Sequence, residues 1–412
     1  MAKNRMTPPT LRQARKYVEK YPKFFEAQSY QGLQIFSYKR LTHLLFIDDI
    51  AKQLRGITYS EENGKVVLWP FHKFFNLGER DLPIPKFFSV GFEKYDGSMI
   101  QARWYNDKVI LATRALLNPE SSAQIQQAMR YLQEHDFSDI LREKGQWTFI
   151  FELVGPENNH VINYDDTRLV LLAARHVVYG HYMPWDTLRN LGFEHIAEPL
   201  LRNISIEGVR EWQAKAKGIE GVVLHTPDGE IWKAKTDWYM KTRTDIENYK
   251  QDLPLWGVTL YYMWQNTIDD VMSWNRKTMD ADTFSQTQRI YDIVSILVYL
   301  VNGIHNGWTD CESLKASGIP QYWADNIRKI MNYASEFVSA GEVPKHTLYF
   351  LIPSRQIEKI DRDDTELLMV YAPIAQVFGH GTGLLRHSEQ LLSWWKNYND
   401  ESTVSDSCVA KE

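Results

Sequence analysis

Up to about residue 244, apolar residues come in short runs broken by turn residues: Val66 to Trp69, Lys108 to Thr113, Trp147 to Val154, Arg168 to Ala173 and Gly221 to His225. Runs of this length bounded by turn chemistry predict strands. Pro227-Asp228-Gly229, set between Val222-Val223-Leu224 and Ile231-Trp232, predicts a hairpin turn with a glycine available for positive φ. Ala123 to Glu134 and Glu207 to Ala216 have helix-forming composition and little turn chemistry, so two helices are expected among the strands. The order is not a regular alternation of strand and helix, which makes this part α+β. From about residue 245 the texture changes to long segments with apolar residues at helical spacing, namely Trp256 to Trp274, Phe284 to Val301, Tyr322 to Val338 and Leu384 to Trp395. The pattern predicts an α+β domain over residues 1–244, an all-helical domain over 245–398 and a frayed polar tail over 399–412.

The length of 412 residues agrees with two cores, and 44% hydrophobic with 24% charged residues leaves no stretch of disordered composition. Cys311 and Cys408 are far apart and have no companions at metal-ligand spacing, which excludes a disulfide framework and a cysteine-ligated zinc site. Lys3, Arg5, Arg12, Arg15 and Lys16 stud the start of the chain, but no apolar signal core accompanies them. The longest apolar runs are too short for a bilayer. A soluble, cytoplasmic protein without a membrane partner is expected. The net charge of −5 argues against a nucleic-acid partner until its distribution is considered. Residues 1–244 carry 33 basic and 29 acidic side chains, whereas 245–412 carry 14 and 23. The first part is the better phosphate binder.

Candidate chemistry begins at Glu93-Lys94-Tyr95-Asp96-Gly97-Ser98, directly after the apolar stretch Phe87 to Phe92. A lysine attacks phosphorus only as the neutral amine, and a reference pKa of about 10.4 leaves roughly one molecule in a few thousand deprotonated at pH 7. A nucleophilic Lys94 therefore needs neighbouring cations, which disfavour the ammonium and also neutralise a departing phosphate. Gly97 allows a tight turn beside a nucleotide, and Asp96 and Ser98 are candidates to position ribose, metal or phosphate. Downstream come Phe151-Glu152-Leu153-Val154, Glu220-Gly221-Val222-Val223 and Lys233-Ala234-Lys235, each in or beside a strand-like run. Two carboxylates for ribose and Mg²⁺ and two lysines for the α-phosphate are what nucleotidyl transfer requires. Lys233 and Lys235, two apart on a strand, share a face.

The series Lys94-Tyr95-Asp96-Gly97, Phe151-Glu152, Glu220-Gly221 and Lys233-Ala234-Lys235 resembles the ordered motifs of the covalent nucleotidyltransferases, which comprise DNA ligases, RNA ligases and capping enzymes. Phe36-Ser37-Tyr38, Leu54-Arg55-Gly56, Lys73-Phe74-Phe75-Asn76-Leu77 and Lys233-Ala234-Lys235-Thr236-Asp237-Trp238-Tyr239 are similar to the phage-type RNA ligase 1 family, the tRNA-repair type. The resemblance runs from about Ile35 to Tyr239. It implies a nucleotidyltransferase domain with antiparallel sheets followed by an all-α domain. It also implies an ATP-dependent enzyme using Mg²⁺, or Mn²⁺ in its place, to join RNA ends bearing a 5′-phosphate and a 3′-hydroxyl, nicked tRNA among them. No obligate protein partner is implied. Carried over by residue, Lys94 would be adenylylated, Glu152 and Glu220 would serve ribose and metal, and Lys233 and Lys235 the α-phosphate. Arg55 and Lys73 would hold the ATP phosphates and the leaving pyrophosphate, and Tyr38 and Phe75 would line the nucleotide or RNA site. Arg114, in Leu111-Ala112-Thr113-Arg114, stands where the family usually has lysine, so the charge is kept and the geometry changes.

Three features are not assigned chemistry. Gly379-His380-Gly381-Thr382-Gly383 lacks the Lys-Ser/Thr of a phosphate-binding loop and reads as a turn between helices. The twelve histidines form no zinc-binding pair. Trp256, Trp264, Trp274, Trp394 and Trp395 read as helix core before they read as base-stacking platforms. The competing functions are a DNA ligase or capping-type transferase, for which no C-terminal β-barrel pattern follows, and a non-catalytic RNA-end-binding relative, in which the filled motif positions would have no use.

Overall fold

Strands of the first part carry consecutive buried residues, Thr148 to Phe151 and Leu169 to Leu171 among them, so both of their faces are covered. A computed structural model describes residues 7–22, 24–39, 48–79, 83–158, 161–243, 255–264, 268–278, 280–307, 309–344, 347, 362–378, 382–385 and 387–406. By internal contacts the chain divides into a unit Met1–Thr244 and a unit Asp245–Glu412.

The first unit holds three sheets. One is a meander of β1 (Phe25–Tyr30), β2 (Leu33–Tyr38), β3 (Ile57–Ser60) and β4 (Val66–Leu68). In chain order there follow β5 (Phe75–Asn76), β6 (Phe87–Lys94), β7 (Ser98–Tyr105), β8 (Lys108–Ala112), β9 (Trp147–Val154), β10 (Arg168–His176), β11 (Pro199–Ser205), β12 (Gly221–His225) and β13 (Ile231–Lys235). The second sheet has the order β10-β9-β7-β8 and the third β11-β6-β12-β13-β5. Their ladders are antiparallel, as the sequence predicts, except that β5 lies parallel to β13, with Trp232 opposite Phe75 and Lys233 opposite Asn76. The predicted hairpin is β12–β13, and Gly229 takes φ +94° in its turn.

Each of the two larger sheets has a helix behind it. Ile100, Phe149, Phe151, Leu169 and Leu171 of the second sheet pack with Ile125, Ala128 and Leu132 of the helix Ala123–Glu134. Val222, Leu224, Trp232 and Ala234 of the third pack with Ile206 and Val209 of the helix Ile206–Lys215. Full burial of side chains such as Phe149 and Phe151 contributes about 1.5–3 kcal/mol each. The opposite faces look at one another: Ile150 and Met99 from one sheet meet Ile231 and Val223 from the other, with Phe71 and Phe74 beside them. Because Val222 and Leu224 point to the helix, Val223 and its strand-mates at even spacing point into the space between the sheets.

The second unit is helical where it is described. Its longest helices are Ala281–His305, capped by Asp280, and Gln321–Ala340, ended by Gly341 at φ +70°. The segment Trp256 to Trp274, expected to be helical from its spacing, holds the helices Leu255–Trp264 and Ile268–Thr278 among its described residues. The stretch Leu384 to Trp395 is likewise split between Thr382–Leu385 and Ser388–Asp406, and the latter runs into the residues read as a frayed tail. Trp256 and Trp394 are buried in this unit. Residues 379–381 of the glycine-rich turn and Cys408 lie outside the described residues. Among those described, no helix is long and apolar enough to cross a membrane.

Candidate active site

Three neighbouring strands bring charge to one place. Gly221, the first residue of β12, stands opposite Lys94 at the end of β6 and opposite Lys235 at the end of β13. Residues directly opposite share a face, so both lysines extend into the space between the sheets. Glu220, just before β12, lies between them. Its Oε2 is 2.6 Å from Lys94 Nζ and its Oε1 is 3.0 Å from Lys235 Nζ. The Glu220 side chain is 3% exposed, that of Lys235 8% and that of Lys94 22%, so the nucleophile candidate is the most open of the three. The row tolerates no side chain at Gly221, where a Cβ would lie 2.2 Å from the Ala234 carbonyl oxygen.

The facing sheet contributes Glu152 from β9, opposite Met99 of β7. Burial pushes its carboxyl up and Glu220 adds to the rise; Lys94, Arg55 and the Gly97 N–H oppose it, and the balance is about 7. Two carboxylates and two lysines thus act on one another across the cleft. Among the described residues no cluster of three or more His, Cys, Asp or Glu is arranged to hold a metal. Glu152 and Glu220 are a pair of oxygen donors of the kind that binds Mg²⁺ jointly with substrate phosphates.

A second group of cations surrounds Tyr38 at the end of β2. Burial raises its phenol, but Arg114, Arg55 and Lys73, together with a hydrogen bond from Arg55, outweigh that and bring it to about 7. Arg114 donates from Nη1 to the Tyr38 carbonyl oxygen at 2.7 Å and lies 4.5 Å over the Tyr38 ring. A lysine has no planar fork with which to do both, which explains how arginine serves at this position. Gly56, at φ +101°, lets the chain turn beside Arg55; a Cβ there would fall 2.9 Å from the Arg114 carbonyl oxygen. Lys73 is 3.5 Å from the buried Glu79 and 5.4 Å over the ring of Phe75. Arg55 links the two groups, since it acts on Glu152, contacts Met99 Sδ at 3.6 Å and shares the Phe74 ring with Lys233.

The sequence profile of the RNA ligase family matches residues 53–249, the stretch that contains Arg55, Lys73, Lys94, Glu152, Glu220 and Lys235. Residues 53–249 are thus similar to the RNA ligase family. RNA ligase 1 of bacteriophage TS2126 is 31% identical over 259 residues, which cover 56% of this chain and 62% of that protein. A proposed RNA ligase of Thermovibrio ammonificans is 33% identical over 245 residues, covering 56% and 63%. The chain therefore spans a little under two thirds of the length of either relative. Among solved structures, one from Aquifex aeolicus, described as a proposed ATP-dependent DNA ligase, aligns over 70% of this chain and 79% of its own at 17% identity and a TM-score of 0.43. An archaeal ATP-dependent RNA ligase aligns over 70% and 78% at 16% identity and a TM-score of 0.41.

Not every predicted site residue faces the cleft chemistry. Asp96, expected to position the nucleotide, is 4% exposed, and its carboxylate accepts from Tyr239 Oη at 2.8 Å and from the Val161 and Ile162 N–H groups at 2.8 and 3.1 Å. These bonds lock the turn after Lys94. Tyr239 completes that lock from the helix Asp237–Arg243, which Thr236 initiates by accepting the Tyr239 N–H on its hydroxyl. Tyr239 belongs to the Lys-x-Lys-x-Asp-Trp-Tyr block, but nothing in the spacing announces its partner. Ser98 opens β7 opposite Leu153 and is half-buried. Lys233 Nζ lies 6.0 Å from the centre of the Phe74 ring. Gly97 sits where a Cβ would be 2.3 Å from the Leu153 carbonyl oxygen. Gly97→Ala is expected to cost about 1–3 kcal/mol through this clash, visible as a fall of several degrees in the thermal midpoint. An unchanged midpoint would mean the turn has room that the geometry denies.

Proposed function

We propose that the chain is an ATP-dependent RNA ligase acting through a lysyl-AMP intermediate. The observation that carries this reading is the Glu220 carboxylate bridging Lys94 and Lys235, with Glu152 across the cleft and three further cations around Tyr38. In the first step Lys94 Nζ, as the free amine, attacks the α-phosphorus of ATP, forms a P–N bond and expels pyrophosphate. Lys235 neutralises the α-phosphate as it becomes pentavalent, while Arg55, Lys73 and Arg114 receive the departing pyrophosphate. In the second, an oxygen of an RNA 5′-phosphate attacks the same phosphorus and Lys94 leaves as the amine. In the third, an RNA 3′-hydroxyl attacks the 5′-phosphorus, the phosphodiester forms and AMP departs. Glu152 and Glu220 would hold Mg²⁺ or Mn²⁺, which supplies charge neutralisation and orientation to these in-line displacements. Catalysis rests on position, since the protein moves little charge of its own.

The substrate we infer is RNA with a 5′-phosphate and a 3′-hydroxyl, nicked tRNA being the natural form to try first, encountered in the cytoplasm. The test is to supply ATP, Mg²⁺ and a linear single strand bearing those ends. Sealing or circularisation is expected with ATP and not with GTP. Sealing of a nicked DNA duplex in preference to RNA, or protein labelling by GTP, would replace this reading with a DNA ligase or a capping-type transferase. Binding of RNA ends without any labelling would leave a non-catalytic relative.

A further inference from the structure

Lys73 lies on a segment with no ladder of its own. Between β4 and β5, Trp69 to Phe74 form neither strand nor helix. Hydrogen bonds that hold them include Trp69 N–H to Thr148 Oγ1 at 2.9 Å, Trp69 Nε1–H to Gln53 Oε1 at 2.8 Å, Lys73 N–H to the Lys52 carbonyl at 2.8 Å, and Arg175 Nη1–H to the Pro70 carbonyl at 2.7 Å. Arg175 is the unusual member. It sits in the apolar strand β10, is 1% exposed, and among the described residues has no carboxylate at ion-pair distance. Its Nε donates to the Gly180 carbonyl at 3.0 Å, and the guanidinium stacks 4.0 Å over Trp69 and 5.2 Å from the centre of the Tyr182 ring. Tyr182 continues the contact, since its ring packs 5.5 Å from Phe71 and its hydroxyl lies 3.5 Å from His72 Nδ1. An unpaired buried cation is costly, and an apolar side chain would fill such a site at lower free energy. What arginine adds is a rigid fork that ties two separate chain segments, at Pro70 and Gly180, and a positive charge behind the anion-binding cluster.

We propose that Arg175 is a positioning residue that fixes the Trp69 to Phe74 segment and, through it, the ammonium of Lys73 for the triphosphate. This rests on the ligase reading above. Lysine at 175 offers one ammonium for two divergent carbonyls, so Arg175→Lys should keep the charge and lose the tie. The expected result is a fall of about tenfold in kcat/KM for self-adenylylation, carried chiefly by a raised KM for ATP. Joining of RNA that already carries a 5′-adenylate, with no ATP added, should stay within about twofold of wild type, because that step uses no triphosphate. In a Lys73→Ala background the further effect of Arg175→Lys should shrink below about twofold, the signature of two residues acting as one unit. Equal losses in adenylylation and in joining, or an undiminished effect in the Lys73→Ala background, would overturn the proposal and leave Arg175 a general support of the fold. Should Arg175→Lys not fold, Thr148→Val loosens the same segment at Trp69 without adding a charge; it must raise KM for ATP, and an unchanged KM overturns the proposal. Wild-type adenylylation in the same experiment decides the ligase reading separately.

Discussion

Glu220→Gln is expected to slow self-adenylylation about a thousandfold and to destabilise the protein at the same time. The carboxylate is 3% exposed and bonded at both oxygens to ammonium groups. An amide of the same shape offers one oxygen and no charge, so Lys235, 8% exposed, loses its ion pair with position 220. Breaking a buried pair from one side typically costs about 3–5 kcal/mol, of which Lys94, being more open to water, should contribute the smaller part. Loss of a preorganised charge at a phosphoryl-transfer centre typically costs about 10²–10³ in rate. Stability and rate separate in the double variant Glu220→Gln with Lys235→Met, which removes that ammonium: the thermal midpoint should recover most of its loss and the rate none. Near-wild-type adenylylation in Glu220→Gln would remove this carboxylate from the chemistry.

The second large effect concerns Glu152. Burial and Glu220 hold its folded pKa near 7, above the ordinary value of 4.5. Between those two values the folded protein retains a proton that the unfolded chain has released. Stability therefore falls as pH rises from 4.5 to 7 and stays lowered above 7. Glu152→Gln carries no such liability. The variant should melt several degrees higher than wild type at pH 8, with the difference shrinking toward pH 5, while its adenylylation rate falls about a hundredfold or more. A variant less stable than wild type at pH 8 would show that the carboxylate is satisfied in the free protein. Gain of stability with loss of rate is the pattern of a group held in place for a ligand.

Much of this site is legible in the sequence because its parts sit on strands whose period is fixed. Glu220-Gly221 and Lys233-x-Lys235 flank one short hairpin, so their proximity follows from the turn between them; the union with Lys94 follows only from the pairing of β12 with β6, which no local pattern specifies. The α+β and all-helical division is visible as a change in hydrophobic period near residue 245. What stays hidden is long-range. Asp96 looks like a ligand beside a glycine, but its partner Tyr239 is 143 residues away. Arg175 looks like a lone charge in an apolar strand, and only the folded arrangement places the Pro70 and Gly180 carbonyls in its reach. Lys233 and Lys235 share a face by period two, and only the fold sets the Phe74 ring 6.0 Å from Lys233 Nζ.

The most direct measurement is the mass of the protein and of its peptides after incubation with ATP and Mg²⁺. The expected result is a gain of one AMP that survives denaturation, localises to Lys94, reverses on adding pyrophosphate and is absent from Lys94→Ala. An adduct on any other lysine, or one that persists in Lys94→Ala, would contradict it.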